Sequence, residues 1–443
     1  MNRYFKNSPT RRKFFRAEAW PRCRGLTGLS RSALLAAALL LAASCAGVQA
    51  QSRNAANPYP SERITSSFFL PAGDTLSLAG PVTRLEITRS ATDSVHFVEI
   101  LHFAEPVPPG HDLSRVQFTL RRTANKTTLR ARPARLLISR SWQIEMPPDR
   151  PLVLQMQGGD VRVTHFTGWL HSTLVGGSFS VAQFSGELAG RVTGGAVQLY
   201  RSRGEIRISA TGGRVLLDSL AGRITATVTG GSLRAHRLFG RATLRVTGGN
   251  LKLSRAAAPV RAEVRGGDLS VQSASDSLAL SAAAGDVVLR EISAPVQADS
   301  RGGTITAQGL ADGFSLTASG DIRLKQVQGS GDARSAAGEI MAGLLCRSRP
   351  GRLSLHAKGG AIMLRLPERC PVSVQARITL PRNRSKRDFT IESGLPLQLR
   401  REEKQDKVIL SGEYHDRSDL RWQINLETSA ANIRITTGAK NQR

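Results

Sequence analysis

A Gly-Gly pair returns every 18 residues through the middle of this chain. It stands at Gly158-Gly159, Gly176-Gly177, Gly194-Gly195, Gly212-Gly213, Gly230-Gly231, Gly248-Gly249 and Gly266-Gly267, and the spacing runs on through Ala284-Gly285 to Gly302-Gly303. A fixed period of this length is the mark of a repeat architecture, and it constrains the fold before any other feature does.

Counting from the first Gly as position 1, position 4 is apolar throughout: Val161, Phe179, Val197, Val215, Leu233, Leu251, Leu269, Val287 and Ile305. Positions 6 and 13 are equally apolar, as in Val181, Leu199, Leu188 and Ile206, and positions 15 and 17 are mostly small or aliphatic. The residues between them are mainly Arg, Thr, Ser, Gln and Glu. Apolar and polar residues in alternation describe a half-buried strand. Each repeat therefore holds two strands, at positions 3–7 and 12–17, with a turn at either end. The Gly pair makes one turn, since Gly adopts φ > 0 without steric cost. Gly168, Gly186, Gly204, Gly222 and Gly240 mark the other, and Phe166, Phe184, Leu220, Leu238, Ile292 and Leu310 at position 9 plug the core beside it.

Equivalent side chains at a constant period stack if each repeat is one coil. The expectation is an all-β, single-stranded parallel β-solenoid (a β-helix) with a rise of about 4.8 Å per coil. One coil cannot offset the entropy of ordering its own backbone, so its neighbours must supply the rest. A stack of hairpins or a β-sandwich is the alternative, and the absence of Asn-Gly or Asp-Gly turns at the strict spacing argues against it.

The expected organisation is a signal segment at 1–50, a polar linker at 51–60, irregular N-terminal coils or a cap at 61–157, regular coils at 158–358, and C-terminal coils with a cap at 359–443. In the leader, Arg11, Arg12, Lys13, Arg16, Arg22, Arg24 and Arg31 precede the apolar run Ala33 to Ala43, which suits a secretory signal and is short for a membrane span. Val48-Gln49-Ala50 fits a cleavage site. Cys45 offers a lipid anchor, but Leu41 stands one place too far from it, so simple export to periplasm, cell surface or medium is the expectation. No later stretch is apolar enough for a membrane helix. Strands are expected at Ser67–Leu70, Thr83–Ile87, His96–Phe103, Arg115–Leu120, Thr128–Ala131 and Trp142–Met146. The period slips by one near Gly320 and lengthens before Gly359-Gly360. Asn383 to Lys386 reads as a basic loop.

The chain carries a net charge of +28. The leader holds nine Lys or Arg against one acid, so residues 51–443 keep about +20 by subtraction. On the repeats the candidate ligand face is Arg201, Arg237 and Arg255 at position 8, Arg223 and Arg241 at position 12, Arg207 and Arg261 at position 14, and Arg245 at position 16. Such a face suits an acidic glycan or the envelope surface, or it is a solvated face that opposes edge aggregation. Aromatic residues make up 5% of the chain, too few for serial base stacking, and nucleic acid is not expected as a partner. Cys346 and Cys370 are candidates for a disulfide, with two buried thiols as the alternative.

Catalytic patterns are missing: there is no HExxH, GxSxG, phosphate loop, dinucleotide fingerprint or CxxC. Asp268 and Asp286 follow turn glycines in adjacent coils, about 5 Å apart if stacked, a spacing also found in retaining glycosidases. Turn chemistry explains such aspartates better. His165 and His171 lie in one coil near Trp169 and read as surface residues. Neither a cofactor nor a metal is expected.

The order of features resembles a bacterial family of exported β-strand-repeat proteins of unknown function, often labelled candidate adhesins. The likeness covers roughly residues 67–437. It rests on Phe68-Phe69-Leu70-Pro71-Ala72-Gly73-Asp74-Thr75-Leu76, on Ile144-Glu145-Met146-Pro147 followed by Leu152 to Gly159, and on the closing stretch from Leu426 to Ile435. Ala431 and Asn432 stand where Gly-Asp is usual. The resemblance implies a right-handed solenoid of the cell envelope and carries over no catalytic residue. The reading is a non-enzymatic exported binding or scaffold module. A polysaccharide-active β-helix enzyme and an envelope-stress or signalling accessory are the alternatives.

Overall fold

The computed structural model describes residues 49–50, 60–106, 117–346, 350–381, 389–403, 407–416, 421–429 and 431–438. The leader with Cys23 and Cys45, most of the linker and the Asn383 to Lys386 loop lie outside the described residues. Those described form strands and turns with no helix, and none is therefore a helix long and apolar enough to cross a membrane.

The fold is a parallel β-solenoid of two-strand coils, as the period requires. Val161 pairs with Phe179, Leu170 with Leu188, Leu233 with Leu251 and Leu269 with Val287, each 18 residues on and each in parallel register. Strand pairing runs without a break through the corners from Ser185 to Leu238. Further along, coils alternate short strands such as Leu251–Ala256 and Val260–Val264. Positions 4, 6, 9, 13, 15 and 17 point inward and form one continuous core. Phe166 and Phe184 at position 9 stack with ring centroids 6.2 Å apart. Gly190 is a packing glycine: a Cβ there would lie 2.9 Å from Ile208 Cδ1 and 3.2 Å from the Phe179 ring.

The two glycines of each pair do different work. Gly194, Gly212 and Gly230 take φ of 69°, 74° and 67° with ample space around them, so the first Gly serves conformation. A Cβ on Gly195, Gly213 or Gly231 would lie 1.7–2.2 Å from the carbonyl oxygen of the equivalent Gly one coil earlier. The second Gly therefore serves close approach between coils. The slip near Gly320 is a one-residue shortening, since Ile305 pairs with Ile322, and a bulge follows between Leu324 and Val327. The longer coil pairs Ile340 with Ile362.

Both ends depart from sequential stacking. The coil formed by Thr75–Gly80 and Arg84–Arg89 lies between two others. On one side it pairs with Leu152–Gln157 and Asp160–Thr164, on the other with Lys126–Arg130 and Leu137–Met146, all parallel. At the far end, Trp422–Ser429 and Ile433–Gly438 pair with Arg352–Ala357 and Ile362–Pro367 on one side. On the other they pair with Val372–Pro381 and Ile391–Ser393. The first and last coils in sequence are each second from the end in space. Antiparallel strands then close the stack: Ser94–Phe103 on Leu137–Met146 with Ser61–Phe69 beyond it, and Lys407–His415 on Val372–Pro381 with Gln398–Glu403 beyond it. The expected irregular first coils are thus coils plus an antiparallel sheet, and Thr75–Gly80 is a strand additional to those expected.

Candidate functional site

Each coil turns from its first strand to its second through positions 8–11. At position 8 the backbone is left-handed in coil after coil. His165, Gln183, Arg201, Ser219, Arg237, Arg255, Ser273 and Glu291 have φ between 47° and 58°, and Gly309 takes the same place at 72°. Left-handed backbone costs an ordinary residue roughly 1–2 kcal/mol. The sequence retains a side chain here at almost every coil in spite of that cost, and nothing in the residue types announces the conformation.

Positions 8, 10 and 12 flank this one corner, so the structure divides the eight candidate arginines between two surfaces. Arg201, Arg237 and Arg255 at position 8 join Arg223 and Arg241 at position 12 along the corner. Arg203 at position 10, absent from the sequence-based set, stands among them. Arg207, Arg245 and Arg261 lie on the flat outer face of the second strand. On that face Arg207 reaches Glu187 at 2.9 Å and Glu205 at 2.5 Å, and Arg245 reaches Glu263 at 3.5 Å. Hydrogen bonding from Arg265, helped by Arg245, holds the Glu263 carboxyl below its ordinary pKa.

The corner is less neutralised. In the coils from Arg201 to Arg255 its carboxylates are Glu205 and Asp218. Arg237 grips Asp218 through Nε at 3.0 Å and Nη2 at 2.9 Å, and that hydrogen bonding lowers the Asp218 pKa. Arg201, Arg203, Arg223, Arg241 and Arg255 have no carboxylate partner among the described residues, and Arg203 Nε donates to Ser185 Oγ at 3.1 Å. Two grooves follow. One, of about 500 Å³, is lined by Arg89, His165, Gln183, Arg201 and Arg203 with Phe184 and small or hydroxyl residues. The other, of about 630 Å³, runs over positions 12–14 of five coils, from Arg241 and Arg261 past Pro259 and Pro295 to Phe314. No acidic residue lines either.

The other candidates are placed apart from this corner or used elsewhere. Asp268 Oδ1 accepts the backbone N–H of Asp286 at 3.1 Å, and Asp286 Oδ1 accepts the backbone N–H of Thr304 at 2.8 Å and its hydroxyl Oγ1–H at 3.0 Å. Asn250 serves Asp268 in the same way at 2.9 Å, Asp321 serves Glu339 at 3.0 Å, and Asn432 serves Thr390 at 2.9 Å. The aspartates are rungs of a ladder that ties each turn to the next coil. His165 sits at the left-handed corner, whereas His171 lies on the flat face, its ring stacked on Trp169 at 5.8 Å. Cys346 and Cys370 are joined by a disulfide with Cα atoms 5.7 Å apart. Among the described residues, no group of three or more His, Cys, Asp or Glu is placed to hold a metal ion.

Comparison with known proteins gives the following. No curated protein matches the sequence. A candidate cell adhesion protein of Clostridium sporogenes is similar at 7% identity, over 84% of this chain and 99% of that one, with a TM-score of 0.18. A candidate adhesin of Parabacteroides merdae is similar at 11% identity, over 68% and 95%, with a TM-score of 0.26. One from Bacteroides fragilis is similar at 12% identity, over 69% and 96%, with a TM-score of 0.15. TM-scores this low carry no weight for function. Residues 257–379 match the family model described as Toastrack DUF4097, and with that match the chain stands beside the β-strand-repeat family that its sequence resembles.

Proposed function

We propose that this protein is a non-enzymatic, exported binding module of the cell envelope that holds an acidic glycan or polyanionic surface against its basic corner. The observation that carries the reading is the contrast between two surfaces. On the flat face Arg207 and Arg245 are neutralised in ion pairs, whereas Arg201, Arg203, Arg223, Arg241 and Arg255 at the corner, and Arg261 where it lines the second groove, have no carboxylate partner among the described residues. Grooves without acidic residues lie beside them. A basic leader ahead of an apolar run supports export. The engagement of Asp268 and Asp286 in backbone hydrogen bonds speaks for a structural role for the best carboxylate pair.

A glycan-array screen of the purified protein at low and physiological salt tests this. Binding to a defined acidic glycan is expected, weakened but not abolished by salt. Charge reversal of Arg201, Arg223 and Arg241 together should remove it, while reversal of Arg207 and Arg245 should have little effect. Equal binding by both variants would overturn the assignment to the corner.

A further inference from the structure

The left-handed corner residues form a column, because each coil sets its position 8 over that of the coil before. Arg89, at the end of its strand and not itself left-handed, continues the line of this column: Ile87 pairs with Val163, and the same register two residues on sets Arg89 beside His165. The column then rises through Arg201 and Arg237 to Arg255, the last two in adjacent coils between the pairs His236–Ser254 and Leu238–Ala256. At about 4.8 Å per coil, the six steps from Arg89 to Arg255 span on the order of 29 Å along the axis.

We infer that the ligand of the basic corner is an extended acidic polysaccharide lying parallel to the solenoid axis, with Arg89 and Arg255 at the two ends of its footprint. This rests on the binding function proposed above. Four features carry it. The groove lined by Arg89, His165, Arg201 and Arg203 runs along the stack, not across it. The column changes sign beyond Arg255, where Ser273 Oγ donates to Glu291 Oε2 at 2.7 Å, so the basic track has an end. With Arg237 held by Asp218, the cations without a carboxylate partner among the described residues, Arg89, Arg201 and Arg255, fall three coils apart with Gln183 and Ser219 between them, which suits charged sugars interleaved with hydroxyl-rich ones. Phe239, 58% exposed beside Arg237 and Arg241, offers one apolar ring to a sugar face, whereas a nucleic acid would need a ring for successive bases.

The test is a length series of uronate oligosaccharides, from disaccharide to decasaccharide, titrated calorimetrically into the purified protein beside R89E and R255G. R255G removes the terminal cation while easing the strained backbone, so a loss of binding cannot come from misfolding. Affinity should climb at least about tenfold with length and level off once the ligand reaches both ends, as additional contacts on one tethered chain accumulate. Both variants should flatten that climb, so that the decasaccharide loses most of its advantage over the disaccharide. Equal affinity for disaccharide and decasaccharide would overturn the axial placement and leave the binding function standing. Single-stranded DNA binding as tightly as the decasaccharide would overturn the choice of polymer. No binding of any acidic polymer at low salt would remove the binding function itself.

Discussion

Trp142 donates its indole Nε1–H to Glu99 Oε1 at 3.0 Å, across paired antiparallel strands in the N-terminal cap. Arg140 Nε lies 3.1 Å from the same oxygen, and both charged side chains are almost wholly buried. Burial outweighs the Trp142 hydrogen bond and the Arg140 charge, so the Glu99 carboxyl titrates above its ordinary value of 4.5. The Arg140 pKa is lowered by the same burial. A carboxyl whose folded pKa exceeds its unfolded one contributes most below the unfolded value and loses that contribution as pH rises through the folded value. Stability should therefore decline through Glu99 as pH rises from 4.5. E99Q, which keeps an acceptor for Trp142, should flatten that decline in urea unfolding measured across the range. E99L, which strands Arg140 and Trp142, should cost about 3–5 kcal/mol. Parallel pH profiles for wild type and E99Q would refute the assignment.

Exchanging glycine for another residue, in either direction, should have an effect that depends on its position in the coil. Gln183 has φ of 55° at the corner where Gly309 serves another coil, so Q183G should stabilise by about 0.5–1 kcal/mol, strain relieved less entropy lost. Gly194 has an open surround and φ of 69°, so G194A should cost about 1–2 kcal/mol. Gly213 has the Gly195 carbonyl oxygen where its Cβ would fall, so G213A should cost about 3 kcal/mol or more. Thermal melts of the three variants suffice, and equal shifts for G194A and G213A would show that the pair acts as a unit.

The aspartate ladder makes a prediction of its own. D286A strips acceptors from Thr304 N and Oγ1 and should cost about 1–2 kcal/mol, whereas D286N should be nearly neutral, since Asn250 fills the same role two coils earlier. A carboxylate needed for a cation would instead give D286N the larger loss, together with a melting temperature that responds to chelator.

Reduction should act at one end only. The bond between Cys346 and Cys370 spans 24 residues, and its loss in C346S/C370S should cost about 3 kcal/mol on a chain-entropy estimate. Hydrogen exchange should then quicken in 350–381 and stay unchanged in the coils around Leu199. Uniform quickening would mean that the stack unfolds as one unit.

The coils were legible because parallel stacking repeats the same environment at Val161, Phe179 and Val197, and that repetition writes itself into the sequence. The left-handed corner was not, because His165, Gln183, Arg201 and Ser219 share no turn chemistry. Nor could spacing alone separate Arg207 from Arg223: both point outward, and the structure shows Arg207 neutralised by Glu187 across the coils and by Glu205 two residues before it. The interleaved ends were invisible for a different reason. Ile362 meets Ile433 at a separation of 71 residues, and a pairing made once leaves no period to find.

That interleaving makes the last coil of the chain a keystone. A solenoid stacked in order can be shortened from its end and merely lose a storey. Here, removing Trp422–Ser429 and Ile433–Gly438 would pull a course from inside the wall and leave Arg352–Ala357 and Ile362–Pro367 facing Val372–Pro381 and Ile391–Ser393 across a gap. The stack is incomplete until Trp422–Ser429 and Ile433–Gly438 have been made and slotted between coils already laid down. Repeats can be gained or lost in the middle without disturbing either end, so length is free to vary while the closures stay fixed.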